Sequence, residues 1–299
     1  LFKGKAKVRH DIDAMNRDEA YWNKYRQVDL TKSESSMDSF IHRMENSKGF
    51  KWIILGVKAL MENYVEIGSG PAGKKSKFDL GPVNTYLSKN YVDGIRLRLA
   101  GRTMAALNPH FFWNGYAAYG TKSNEWYTGH VLTYSLNKKK NSPFEFPMRN
   151  VTFEVSRDIM SPSDDNLQHN KDNIFMTFRA ATQDEMFLYH RQRLAFTYET
   201  DWGLRFNTGI RWQSNRTAGN LHYFTLDGNE VKKIRMTDIN VGINYNPGVT
   251  YVNTKQQRLP INLDSPEIGI SHTMGFKGFM GGQYHSNITK VSIYCLLYT

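Results

Sequence analysis

The sequence predicts a mainly β protein: an antiparallel transmembrane β-barrel, incomplete in this chain with about eleven strands, preceded by a short α-helical hairpin. Three observations predict it. From Tyr91 to the end, apolar and polar residues alternate over spans of roughly ten residues, the length of a tilted strand crossing a bilayer. The alternation sets arginine against aliphatic side chains. Ile95, Leu97 and Leu99 share one face of an extended segment, while Arg96, Arg98 and Arg102 share the other. A soluble sandwich rarely turns such a row inward, whereas a barrel with a wet lumen does so routinely. Finally, the most apolar run, Trp52 to Val57, stops at Lys58, far short of the ~20 residues that a spanning helix needs.

Residues 1–30 are polar and mixed, with Tyr21, Trp22 and Tyr25 as the only anchors. Residues 31–90 form a region with a helical hairpin and turns. Thr31 to Glu34 has capping-box spacing and opens a helix over 32–47 that places Met37, Phe40, Ile41 and Met44 on one stripe. A second helix over 50–62 repeats the pattern with Phe50, Ile53, Ile54, Val57, Leu60 and Met61. Tyr64 to Gly68 then reads as a short strand. Gly68 to Lys74 approaches a phosphate-binding loop, but Lys75 stands where a magnesium-binding hydroxyl is needed and Gly81-Pro82 prevents a long helix. This segment is therefore expected to be a turn.

Residues 91–299 hold the partial barrel, with strands expected at 91–107, 111–120, 126–136, 148–159, 173–181, 185–200, 203–214, 220–226, 231–246, 265–275 and 284–298. In 203–214, Leu204, Phe206, Ile210 and Trp212 alternate with Arg205, Asn207 and Arg211. The odd strand count fits a piece of a longer precursor, as does the absence of a signal peptide behind the first residue, Leu1. If the first long strand leaves the periplasm, Gly120–Glu125, Asp201-Trp202 and Asp227–Glu230 are periplasmic turns. Asn137–Pro147 and Pro247–Asp264 are then external loops, and the helices stay periplasmic. The long connection Met160–Asp172 disagrees with that scheme.

The charged residues expected to face the lumen are Arg96, Arg98, Arg102, Arg193, Arg205 and Arg211, with Glu154, Glu199 and Asp238 as their partners. Three roles fit them: filling and stiffening a polar interior, lining a path for an anionic solute, or contacting another protein. The first long strand is expected to form one edge of the barrel. Gly94 and Gly101 flank it as places for a bend or a close neighbour.

The turn Asp79-Leu-Gly-Pro-Val-Asn-Thr-Tyr-Leu-Ser-Lys-Asn90, followed by Val92-Asp-Gly-Ile-Arg-Leu-Arg-Leu99 and Gly101-Arg-Thr103, resembles an outer-membrane family of unknown function from Bacteroidetes. Its members are usually called carboxypeptidase-regulatory-like proteins. Gly115-Tyr-Ala-Ala-Tyr-Gly-Thr-Lys122 and Ser271-His-Thr-Met-Gly-Phe-Lys-Gly-Phe-Met-Gly-Gly282 extend the resemblance over roughly Tyr21 to Ile293. The resemblance implies a non-catalytic barrel integral to the bacterial outer membrane, acting in transport, assembly or anchoring. The small N-terminal β-domain that names the family is not in this chain. The pattern is also distantly similar to barrels of outer-membrane assembly and secretion.

No catalytic set emerges. The nine His are dispersed, neither His-Glu-x-x-His nor Gly-x-Ser-x-Gly occurs, and Cys295 stands alone. Asp164, Asp165, Asn166, Asp172 and Asn173 make an acidic stretch without the spacing of a calcium loop. No cofactor or metal is expected. The net charge of +11 invites nucleic acid, but Lys3–Arg9, Lys74–Lys77 and Lys138–Lys140 are short and far apart, so nucleic acid is not expected. The expected partners are outer-membrane lipid or lipopolysaccharide, and a periplasmic or outer-membrane protein. Two alternatives stand beside this reading: a soluble secreted β-protein binding glycan or nucleic acid, and an outer-membrane lipid hydrolase.

Overall fold

The computed structural model describes residues 21, 24, 40, 47–68, 75–167, 183–255, 258–260 and 266–295. The chain divides into two compact units, Leu1–Val57 and Lys58–Thr299. The expected helix over 32–47 lies outside the described residues apart from Phe40 and Ser47, as do the phosphate-loop-like residues 69–74 and the expected strand 173–181. The second helix, α1, spans Lys48–Glu62. Of its expected stripe, Ile53, Val57, Leu60 and Met61 are exposed. Among the described residues no helix is long and apolar enough to cross a membrane, which says nothing of strands.

Lys58–Thr299 is mainly β. Short strands β1 (Val65–Ile67), β2 (Phe78–Leu80) and β3 (Leu87–Asn90) lead into β4 (Gly94–Thr103). Next come β5 (Phe111–Gly120), β6 (Glu125–Ser135), β7 (Arg149–Met160), a short helix α2 (Pro162–Leu167), β8 (Glu185–Glu199) and β9 (Leu204–Gly219). A hairpin β10 (Tyr223–Phe224) and β11 (Glu230–Val231) precedes β12 (Lys233–Tyr245), and a second hairpin β13 (Tyr251–Asn253) and β14 (Arg258–Pro260) precedes β15 (Glu267–Gly275) and β16 (Ser286–Tyr294). Twelve strands form one antiparallel sheet in which each long strand pairs its predecessor, a meander from β4 to β16. Among the described residues no ladder joins β16 to the first strands.

Several expectations are corrected. The strand expected over 91–107 is Gly94–Thr103, because residues 91–93 make the turn from β3 and 105–107 turn again before β5. Gly94 takes a left-handed φ of 65° in that first turn. The stretch 220–226 yields only β10, so among the described residues nine of the ten expected strands that fall there are long strands. β4 is not an edge. Phe78–Leu80 pairs Thr103–Gly101 and Leu87–Asn90 pairs Leu97–Gly94, so β2 and β3 act as one strand interrupted by the Gly81-Pro82 excursion. The turn chemistry there is real, but it interrupts a strand instead of preceding one. Gly101 admits a close neighbour, since a Cβ there would stand 2.6 Å from the Phe78 ring.

Because β7 pairs directly with β8, the connection at 161–184 closes at the same end of the sheet as Gly120–Glu125. This shifts the parity of all later connections. The Asp201-Trp202 turn therefore lies at the opposite end, with the connections at 136–148 and 246–266. Long and short connections occur at both ends.

The ladders assign every long strand two faces, and the two differ in kind. One face carries Arg96, Tyr127, Asp158, Gln213 and Asp238, all buried. The other carries Leu99 (61% exposed), Phe153, Leu194, Val241, Ile270 and Val291 (68% exposed). The usual arrangement of a water-soluble fold is inverted. The apolar band also runs obliquely across the ladder. On β4 it comprises Ile95, Leu97 and Leu99, in register with Thr121, Tyr119 and Ala117 near the Gly120–Glu125 end, whereas on β16 it comprises Val291 and Ile293 toward the other. A band perpendicular to one axis crosses a hydrogen-bonded sheet in this stepped way when the strands are tilted to that axis.

Candidate functional site: a charged concave face

The polar face is held together by ion pairs that span several strands. At the Gly120–Glu125 end, Arg96 sits fully buried between Asp93, at 3.1 Å, and Asp158, at 2.8 Å. β4 and β7 would stand about 14 Å apart in a flat sheet, so contact between them requires the sheet to curl toward this face. Tyr116 from β5 donates to the same Asp158 carboxylate, and the Arg96 guanidinium lies over the Tyr127 ring at 4.6 Å. Asp93 receives Tyr127 Oη at 2.6 Å, Ser123 Oγ at 2.7 Å and Asn90 Nδ2 at 2.9 Å. Burial pushes the Asp93 carboxyl up, but the hydrogen bonds from Asn90, Tyr127 and Ser123 and the Arg96 charge outweigh it, so it titrates below its usual value.

The expected pairing of Arg96 with Glu154, Glu199 or Asp238 is corrected. Glu154 is in register with Asn114 and Arg102 through β6 and β5, well along the strands from Arg96, and curling brings Asp158 to Arg96 instead. Arg98 stacks on Tyr116, with its guanidinium carbon 3.9 Å from the ring centre. Arg102 lies over Tyr64 at 3.7 Å and meets Asp79 at 3.4 Å.

In the middle of the sheet Glu154, Arg193, Arg211 and Asp238 fall in one row across four strands. Arg211 binds Asp238 through two nitrogens at 2.9 and 3.0 Å, one pairing that joins members of the expected set. Glu154 has Arg191 at 3.9 Å. Arg193 is exposed.

At the opposite end, the β13–β14 hairpin folds back onto the polar face. Lys255 binds Glu66 of β1 and stands 3.4 Å from Asp79. Arg258 holds Glu199 at 2.6 Å, and Tyr251 packs its ring 5.2 Å from Phe146. Arg205 pairs with Glu267 at 3.4 Å. Nearby, the Lys139 ammonium is buried and donates to the carbonyls of Glu145 and Pro147, both at 2.7 Å. Burial lowers its pKa to about 8.

Sequence reasoning missed Asp93, Asp158, Tyr116, Tyr127, Asp79, Lys255, Arg258 and Glu267. Asp158 carried a readable signal, since it comes after Glu154 and Ser156 at period two on the same face. Lys255 and Arg258 carried none, because a long loop has no periodicity to place them. Of the acidic stretch, Asp164 accepts from Ser161 Oγ at 2.8 Å at the start of α2, while residues 172 and 173 lie outside the described residues. Among the described residues no three His, Cys, Asp or Glu side chains come together as a metal site would need.

The arrangement neutralises most of the expected arginines with carboxylates or aromatic faces. Fixed pairs of this kind stiffen the sheet and leave little unpaired positive charge on this face among the described residues. Residues 69–295 match the C-terminal domain of a family of unknown function, DUF5686. Comparison with curated proteins gives no match.

Proposed function

Since the chain belongs to the family of unknown function DUF5686, we propose that its C-terminal domain is the wall of a transmembrane β-barrel in the bacterial outer membrane. Its role is transport, assembly or anchoring, without catalysis. The observation that carries this reading is the inverted sheet, with Arg96, Asp158, Gln213 and Asp238 buried on one face and leucine, isoleucine and valine exposed on the other. In water, apolar area of that extent would be an aggregation hazard, whereas against lipid tails it costs nothing.

Two further features support it. Aromatic side chains flank the apolar band at both ends: Tyr119 and Trp126 at 5.1 Å at one, Trp202 and Tyr245 at 6.0 Å at the other. Interfacial belts of barrels are built this way. The resemblance to Bacteroidetes outer-membrane proteins called carboxypeptidase-regulatory-like points in the same direction.

The test is to place spin labels at Phe196, Val241 and Ile270, and separately at Asn207 and Thr273, in the full-length protein reconstituted into liposomes. The first set should be accessible to oxygen and shielded from a water-soluble nickel reagent, the second the reverse. Equal accessibility of the two sets, or recovery of the full-length protein in the soluble fraction without detergent, would overturn the reading.

A further inference from the structure

The apolar face carries one strongly basic patch. On β7, β8, β9 and β12 the residues just beyond the apolar band, toward the Gly120–Glu125 end, include Arg157, His190, Arg216 and Lys233. Arg157 is directly opposite His190 and Lys233 directly opposite Arg216. Register places all four on the same face as Phe153, Leu194 and Ile210. Like charges directly opposed across a ladder repel. Glu125 meets Arg157 at 2.6 Å. Among the described residues no carboxylate is paired with His190, Arg216 or Lys233.

Lys233, His190 and Arg157 line a groove of about 360 Å³ together with the hydroxyls of Thr128 and Ser214 and with Val155, Gln192 and Trp212; Arg216, directly opposite Lys233, lies beside it. Beyond Val155 and Trp212 the same strands present Phe153 and Ile210, two residues further along. Thr128 is directly opposite Arg157 and Ser214 directly opposite His190, so cations and hydroxyls share one row, and the next row toward the apolar band is Val155, Gln192 and Trp212. A phospholipid lying against the wall has the same polarity, with phosphate and esters at one end and acyl chains at the other. Charge-assisted hydrogen bonds from guanidinium, ammonium and imidazole groups suit a phosphate ester, and interfacial cations draw anionic lipid to a membrane protein.

From this geometry we infer that the groove lined by Arg157, His190 and Lys233, with Arg216 beside it, binds the phosphate of an anionic lipid headgroup, with the acyl chains lying over Val155, Phe153 and Ile210. The inference rests on the membrane reading above. It assigns a lipid class and a seat for it, which that reading does not.

The experiment uses full-length protein in vesicles of equal parts phosphatidylcholine and phosphatidylglycerol, with retained lipid counted by native mass spectrometry. Wild type should retain phosphatidylglycerol over phosphatidylcholine. R216Q/K233Q should lose that preference by about thirtyfold, the order expected for removing two interfacial cations, while the charge-matched K138Q/K140Q keeps it. If the double variant fails to insert, K233Q alone is measured, with an expected loss of about fivefold. Undiminished preference in the inserted variants would overturn the site while leaving the membrane reading intact. Failure of wild type to insert would overturn both. Displacement of phosphatidylglycerol by inorganic phosphate would identify a soluble phosphate as the ligand and overturn the lipid assignment.

Discussion

Arg96 on β4 and Asp158 on β7 meet at 2.8 Å with neither side chain exposed, although two strands lie between them. Removing one member of a buried pair leaves the other charge uncompensated, at a cost of about 3–5 kcal/mol. Asp158→Asn should therefore lower the unfolding free energy of the full-length protein in detergent by that order. Arg96→Met combined with Asp158→Leu should cost less than the sum of the single changes. Additive losses in guanidinium titrations would show that the pair is not coupled.

Asp93 gives the same corner a pH dependence. Its folded pKa is lowered from 3.8, so the stability it contributes is complete above that value and is lost as pH falls through the folded value. Amide exchange in the Gly120–Glu125 turn should accelerate as pH drops below about 4, after correction for intrinsic exchange. In Asp93→Asn the acceleration should be gone, with exchange already fast at neutral pH. A turn whose protection is the same in both proteins at every pH would contradict the role given to Asp93.

Lys139 has the opposite sense. Its ammonium pKa falls from 10.5 to about 8 in the folded chain, so the unfolded chain binds more protons between those values. Stability must rise as pH climbs from 8 towards 10.5. The burial cost is fully present below the lower limit. Midpoints of chemical unfolding at pH 7 and pH 10 should differ more for wild type than for Lys139→Met; a matching difference would sink the assignment.

The two faces should also respond differently to charge. Phe206 belongs to the apolar face and Asn207, bonded to Thr197 at 3.2 Å, to the polar one. An arginine on a lipid-facing strand near mid-bilayer costs about 2–4 kcal/mol. Folding yield into liposomes should thus fall sharply for Phe206→Arg and only slightly for Asn207→Arg. Similar yields would count against lipid contact.

Gly101 is a packing constraint. Its missing Cβ leaves room for the Phe78 ring, which a side chain there would meet at 2.6 Å. Gly101→Val should destabilise the β2–β4 pairing by about 1–3 kcal/mol, as overpacked sites do. Phe78→Ala in the same chain should recover part of the loss. Melting temperatures of the two variants decide it, and no recovery would mean that the strain lies elsewhere.

The strands were legible because period two is a local property. The first half of Leu204–Gly219 can be read residue by residue, since Leu204, Phe206 and Ile210 alternate with Arg205, Asn207 and Arg211. Which carboxylate meets which arginine was not legible, because that depends on the curl of the sheet, a sum of small twists over several ladders that no short stretch encodes. Arg211 and Asp238 are the instructive contrast. They are direct cross-strand neighbours, so their contact needs correct pairing of β9 with β12 but no curvature. The missed strands β2 and β3 failed for another reason. Each is only three or four residues long and they flank Gly81-Pro82, so turn chemistry dominated every window that contained them.

That interruption makes the two margins of the sheet unequal. On one side β4 is covered by β2 and β3, short pieces broken by a proline and a 3-10 turn (Val83–Thr85), and margins of this kind are poor templates for another chain. On the other, β16 pairs with β15 along its whole length, every residue of it is exposed, and its far side has no partner among the described residues. A further strand, from this chain or another, finds a continuous run of backbone donors and acceptors there and only a broken run at the first margin. Growth of the sheet is therefore polar, with β16 as its receptive end.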